Sequence, residues 1–79
     1  MSTAIRGIAP ITNKRVGRII ALERRARHLT LAEAGTRLGV DHSTIAGWEQ
    51  GRRPIPTKHV GNVAELFDVD PALIDPNAA

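Results

Sequence analysis

The sequence predicts an all-α fold, a compact domain of about five helices. Three observations lead to this prediction. Apolar residues recur at intervals of three and four, which is the spacing of one helix face, and residues that cap or end helices separate these segments. No stretch alternates apolar and polar residues as a half-buried strand does. At 79 residues the chain has room for a single domain.

The predicted domain covers residues 13–75. Residues 1–12 contain Gly7, Pro10 and scattered isoleucines without a clear period, so they are predicted to form a loosely ordered amino-terminal arm. Residues 76–79 form a short carboxyl-terminal tail.

The first predicted helix begins at Thr12 or Asn13, either of which can cap it, and runs to about Arg27. Its apolar positions are Val16, Ile19, Ile20, Leu22 and Ala26. A second helix is predicted from Leu31 to Leu38. Thr30 and Glu33 have the spacing of a capping box, in which each residue bonds the backbone amide of the other.

Gly39 supplies the left-handed conformation that ends the second helix. Asp41 is the candidate cap of a third helix, which runs from His42 to about Gln50 and is stopped by Gly51. In this helix Ile45 and Trp48 are three residues apart and share one face, so the indole is predicted to lie in the core.

The fourth helix begins near Pro56 or Thr57 and ends at about Phe67, with Val60, Val63, Ala64 and Phe67 as its buried stripe. Asp70 followed by Pro71 is typical of a helix start. It predicts a short fifth helix of Ala72, Leu73 and Ile74 that closes before Pro76.

Composition excludes several classes of protein. The chain has no cysteine, which rules out disulfides, thiol nucleophiles and cysteine-ligated zinc. Its three histidines lie far apart, and it has no nucleophile–base set and no phosphate-cradling glycine loop. We therefore expect no enzyme activity, no metal and no cofactor. No apolar run approaches the about 18 residues of a membrane span, and the start lacks a secretory signal, so an intracellular soluble protein is expected.

Charge is unevenly distributed along the chain. All 11 lysines and arginines precede residue 60, together with four acidic residues, whereas residues 60–79 hold four acidic residues and no lysine or arginine. This asymmetry fits a basic surface that binds a polyanion, and it equally fits two ordinary solvated faces. Charge alone does not decide between them.

Residues 29–54 form the informative stretch, with two short capped helices joined by a glycine turn and followed by a basic loop. This arrangement is that of a helix-turn-helix. Gly35 lets the second of the two helices cross closely, and Leu38, Val40, Ile45 and Trp48 hold the angle between them. His42, Ser43, Thr44, Ala46 and Gly47 remain on or near the outer face, where a helix in the major groove reads base edges.

Here the sequence resembles the Cro/CI family of helix-turn-helix regulators, the XRE-type or lambda-repressor-like family. The resemblance is carried by Leu29-Thr30, Leu38-Gly39-Val40-Asp41, Ser43-Thr44-Ile45, Trp48-Glu49-Gln50-Gly51-Arg52-Arg53-Pro54 and the segment 69–74. It implies a lambda-repressor-like fold and a sequence-specific, double-stranded DNA-binding transcription regulator. Its size suits a small Cro-like repressor of phage or prophage origin, acting in the bacterial cytoplasm at the nucleoid.

The resemblance also implies roles for individual residues. Base contacts are expected from His42, Ser43, Thr44 and Gly47 on a recognition helix spanning about 42–50. Phosphate contacts are expected from Thr30, Arg52, Arg53, Lys58 and Arg24, and Glu49 is expected to pair with Arg24. The structural core of the motif is expected to be Gly35, Leu38, Gly39, Val40, Ile45, Trp48 and Glu49.

Two departures from the family pattern leave an alternative open. Leu31 stands where the family often has a glutamine that contacts the DNA backbone, and Gly47 replaces a longer side chain. Both weaken DNA contacts, so an antitoxin-like or adaptor module that docks another protein remains the alternative. For the regulator we expect a homodimer on operator half-sites, associating through Phe67, Val69, Leu73 or Ile74, with no membrane or small-molecule partner.

Overall fold

A computed structural model of the protein describes residues 12–75. It contains four α-helices, α1 (Asn13–Ala26), α2 (Leu31–Leu38), α3 (His42–Glu49) and α4 (Thr57–Phe67), followed by one 3-10 turn at Pro71–Leu73. No strand occurs in this part of the chain, which confirms the all-α prediction. The tail and all of the predicted arm except Thr12 lie outside the described residues. No helix between residues 12 and 75 is long and apolar enough to cross a bilayer.

The predicted fifth helix is wrong, because the segment forms only a single 3-10 turn. Its start is as predicted: the Asp70 carboxylate accepts a hydrogen bond from the Ala72 amide at 2.9 Å, and Pro71 occupies the first position. Pro76 in the sequence disfavours helical backbone at the residue before it. The space between the two prolines is therefore too short for a regular α-helix.

All four helices end in the same way, with one residue in the left-handed conformation. Gly39 and Gly51 adopt it after α2 and α3, with φ of 71° and 76°. His28 and Asp68 adopt it after α1 and α4. The amide beyond each of these residues bonds back to a carbonyl five residues earlier, as Val40 does to Gly35 at 2.9 Å. Each helix therefore stops sharply and the chain turns.

The helix starts follow the predicted caps with one difference. The capping box at α2 is complete: the Glu33 amide donates to Thr30 Oγ1 at 3.0 Å, and the Thr30 amide donates to Glu33 Oε1 at 2.8 Å. The hydrogen bond from the Thr30 amide is the main cause that holds the pKa of Glu33 below its ordinary value. Asp41 precedes α3 as predicted, but its side chain bonds no amide of that helix and accepts the Ser43 hydroxyl instead.

A single hydrophobic core lies between the helices. Its largest fully buried side chains are Trp48, Phe67, Ile20, Ile45 and Val63. Trp48 is only 2% exposed, which confirms the prediction that the indole belongs to the core. Leu31, at the position of the missing glutamine, packs against this core as a partly buried residue.

The apolar positions of α1 are not all buried, and the predicted self-association surface is wrong in part. In α1 the buried residues are Val16, Gly17, Ile20 and Ala21, whereas Leu22 is 59% exposed. Phe67 and Ile74, which were expected on a self-association surface, are 1% and 6% exposed and belong to the core. For Phe67 this confirms its predicted place in the buried stripe of α4. Of that set Leu73 is exposed and Val69 is partly buried.

Candidate nucleic-acid interface

The turn between α2 and α3 depends on a close backbone approach at Gly35. A Cβ at this position would lie 2.5 Å from the carbonyl oxygen of Val40, a distance that no side chain can adopt. The Gly35 carbonyl also accepts the Val40 amide at 2.9 Å. The small residue expected here is therefore required by the turn that sets the direction of α3.

A second close approach joins α1 to the carboxyl end of α3. A Cβ on Gly17 would lie 2.4 Å from the carbonyl oxygens of both Trp48 and Glu49. This contact was not predicted from the sequence. The sequence did contain a signal, namely a glycine inside a predicted helix. Glycine there destabilises the helix by about 1 kcal/mol relative to alanine, so its presence indicates a close packing contact.

An ion pair reinforces the same junction. Arg24 Nε and Nη2 donate to the two carboxylate oxygens of Glu49 at 2.6 and 3.0 Å, and Nη1 donates to the Leu29 carbonyl at 2.8 Å. The side chains are 13% and 9% exposed. Hydrogen bonding to Glu49 raises the pKa of Arg24, against the opposing effect of burial. The pair expected from the resemblance is present, and it uses three N–H groups of Arg24 inside the protein.

The outer face of α3 presents the residues expected to contact bases. At about 100° per residue, Ser43 and Gly47 point away from the buried face of Ile45 and Trp48. The His42 side chain is 64% exposed, Ser43 is exposed and Thr44 is partly buried. α3 is therefore a two-sided element, with its inner face in the core and its amino-terminal turn open.

Ser43 is oriented by its neighbour. Its hydroxyl donates to the Asp41 carboxylate, and this hydrogen bond lowers the pKa of Asp41 below its ordinary value. The proton of Ser43 is thus directed within the protein. Its oxygen keeps lone pairs that can accept a hydrogen bond from a base amino group.

Gly47 differs from the other three residues because it is buried. The atoms nearest to where its Cβ would lie all belong to Arg53, at 3.3 to 3.5 Å. The surface at this point of α3 is therefore formed by the Arg53 side chain. That a loop residue would cover the helix was not predicted from the sequence.

Exposed polar and basic residues surround α3. Arg52 and Arg53 are exposed on the loop after α3, and Lys58 is exposed in the first turn of α4, where Pro56 provides no side-chain cap. Thr30 is also exposed, and its Oγ1 accepts the Glu33 amide in the capping box. These four residues can meet phosphates.

Arg27, by contrast, has a structural role. Its guanidinium donates to the Phe67 carbonyl at 2.8 Å and to the Glu23 carboxylate at 2.6 Å, and it lies 5.9 Å from the centre of the Phe67 ring. It ties the end of α1 to the end of α4. Positive charge in α1 is thus partly structural, which composition alone did not reveal.

Comparison with known proteins agrees with this geometry. The sequence profile of a family described as helix-turn-helix domain matches residues 15–76, most of the chain. The chain belongs to the helix-turn-helix domain family. This confirms the resemblance to the Cro/CI type and supports a DNA-binding transcription regulator as the class of this helix-turn-helix protein.

A solved structure shares the fold of this helix-turn-helix protein. The restriction-modification controller protein C.AhdI from Aeromonas hydrophila is similar with a TM-score of 0.70 and 22% sequence identity. The similarity covers 78% of this chain and 94% of that one. No curated protein matches the sequence.

Proposed function

We propose that this helix-turn-helix protein binds duplex DNA sequence-specifically, with α3 in the major groove, and regulates transcription. One observation carries the proposal: α3 is fixed on its inner side by two glycine contacts and an ion pair, while its outer side is open and bordered by cations. The major groove admits a helix held in this way, and the amino-terminal part of the helix reads base edges there.

Two sets of residues share the work of binding. Thr30 at the start of α2, Arg52 after α3 and Lys58 at the start of α4 contact phosphates, which fixes the register of the protein on the duplex. His42 and Ser43, with Thr44 beside them, contact base edges. Ser43 accepts a hydrogen bond from an amino group of cytosine or adenine, because its own proton is directed to Asp41.

A single domain of this size provides limited specificity, so we infer that two copies bind two half-sites about 34–36 Å apart. Exposed Leu73 and partly buried Val69 are the remaining candidates for their contact. In this arrangement the protein acts as a Cro-like repressor that occludes a promoter. The structurally similar C.AhdI is a restriction-modification controller, and this likeness supports a regulatory role.

Selection of bound sites from a pool of random duplexes tests the proposal. We expect enrichment of one sequence made of two related half-sites, and sedimentation of that complex at two chains per duplex. Enrichment of single half-sites with one chain bound would contradict the homodimer. If no sequence is enriched and random duplex is not retained even at low salt, the protein-docking alternative replaces DNA binding.

The phosphate contacts predict the salt dependence of affinity. With two phosphates neutralised per subunit by Arg52 and Lys58, the logarithm of the binding constant should fall against the logarithm of salt concentration with a slope of about −2 per subunit. Arg52→Ala and Lys58→Ala should each flatten this slope by about one unit without changing sequence preference. Arg52→Lys is the matched control and should keep the slope. An unchanged slope in both alanine variants would remove these residues from the interface.

A further inference from the structure

We propose that Arg53, a residue of the loop, reads a guanine at the place on α3 that Gly47 leaves without a side chain. This inference rests on the proposed function and adds a specificity-determining residue to it. From the sequence, Arg53 was expected to contact phosphate and α3 itself to supply every base contact. The geometry points to a different division of roles.

The first observation is that Gly47 is buried although it lies on the outer face of α3. Gly47 follows Ser43 by four residues, so both lie on the face turned away from the core. A residue there should be open, yet Gly47 is buried. The three atoms nearest to its absent Cβ are Arg53 Cδ at 3.3 Å and Arg53 Cγ and Nε at 3.5 Å. The Arg53 side chain therefore crosses the face that would enter the groove.

The second observation is the anchoring of the Arg53 backbone. After Gly51 reverses the chain, the amides of Arg52 and Arg53 donate to the Gly47 carbonyl at 3.0 and 3.4 Å. Pro54 restricts Arg53 further, because the residue before a proline is biased toward extended backbone. The loop thus holds the Arg53 backbone beside the last turn of α3. Because residue 47 is a glycine, the Arg53 side chain has space to pack against the helix.

The third observation concerns the guanidinium itself. Within residues 12–75 it has no hydrogen-bond or ion-pair partner, in contrast to Arg24 and Arg27, and Arg53 is exposed. A guanidinium only donates hydrogen bonds. The base that suits two parallel donors in the major groove is guanine, through O6 and N7, and this is the commonest specific contact made by arginine.

The test compares lysine substitutions at Arg53 and at Arg25, an exposed arginine of α1 to which no DNA contact is assigned. Affinities of the full chain are measured for the duplex selected by the unmodified protein and for duplexes with one base pair changed. Arg53→Lys keeps the charge but loses the forked donors, so preference at one G·C pair in each half-site should fall by roughly tenfold to hundredfold. The slope against salt and all other preferences should be retained. Arg25→Lys, the control, should keep every preference and the slope.

Gly47→Ala provides an independent variant that leaves Arg53 in place. The added methyl group meets the flexible Arg53 stem at 3.3 Å, so the stem must shift by a few tenths of an ångström, while alanine favours the helix. Preference should fall at the same base pair as in Arg53→Lys but by less, and the double variant should lose no more than Arg53→Lys alone. His42→Ala should instead relax preference at a different base pair.

The outcomes separate this inference from the proposed function. If the unmodified protein selects a sequence and Arg53→Lys retains every preference, or weakens all duplexes equally, Arg53 is a phosphate contact and the inference is overturned while the proposed function stands. If the unmodified protein selects no sequence, both are overturned. Relaxation at one G·C pair shared by Arg53→Lys and Gly47→Ala supports the inference.

Discussion

Replacement of Gly17 with alanine is expected to destabilise the domain by about 3 kcal/mol, although alanine is the better helix former. The new Cβ would lie 2.4 Å from the carbonyl oxygens of Trp48 and Glu49. Both atoms belong to the α3 backbone, so the overlap is relieved only if α1 and α3 move apart. Since a domain of this size is stabilised by about 4–12 kcal/mol, the loss is a large share of the total.

Gly61→Ala is the matched control, because nothing lies within 4 Å of a Cβ at that position of α4. The same chemical change should there raise the free energy of unfolding by up to about 1 kcal/mol. Urea unfolding of the two variants measures the contrast. A higher urea midpoint in both would show that α1 does not approach α3 as closely as the structure has it.

The helix ends are the part of the fold that the sequence predicts best. The capping box of Thr30 and Glu33, the stop at Gly39 and the turn at Gly51 all lie where local chemistry requires them. Each of these features depends on residues within one turn of each other. Local signals of this kind do not depend on how the helices pack, so they can be read before the fold is known.

Packing between helices is where sequence reasoning fails. In α1 the apolar pattern favours Leu22, but α3 approaches the face of Gly17 and Ala21, and Leu22 is left exposed. Large apolar residues dominate any count of periodicity, whereas a close helix contact requires small ones. Phe67 was expected both in the buried stripe of α4 and on a self-association surface, and at 1% exposed it confirms only the first expectation. Arg27, just after α1, donates to the Phe67 carbonyl at the end of α4.

The candidate site likewise has positions that the sequence predicts and one that it does not. The open positions of His42 and Ser43 follow from the helical period once the buried face of α3 is known. The position of Arg53 over Gly47 does not, because it depends on the path of a loop and on a side chain that crosses between elements. The sequence shows Gly47 as a departure from the family pattern, but it does not indicate that Arg53 lies over it.

The largest electrostatic effect is expected from Glu49→Ala, which should destabilise the domain by about 3 kcal/mol. The substitution leaves the Arg24 guanidinium, with its side chain 13% exposed, without the carboxylate that accepts two of its hydrogen bonds. Glu23→Ala is the control. It removes a partner of Arg27 from a pair whose side chains are 32% and 38% exposed, and should cost less than about 0.5 kcal/mol. If urea unfolding shows equal losses of unfolding free energy in Glu49→Ala and Glu23→Ala, burial does not make the first ion pair the more important one.

A double replacement then tests whether Arg24 only holds α3 in place or also contacts DNA. Arg24→Met with Glu49→Leu removes both charges together, and stability should recover most of what Glu49→Ala loses, because no unpaired buried charge remains. If Arg24 acts only by holding α3, the folded double variant should bind the selected duplex with an unchanged slope against salt. A slope flattened by about one unit would show instead that Arg24 contacts a phosphate directly. Stability and salt dependence thus report separately on the two roles that one arginine can have at this junction.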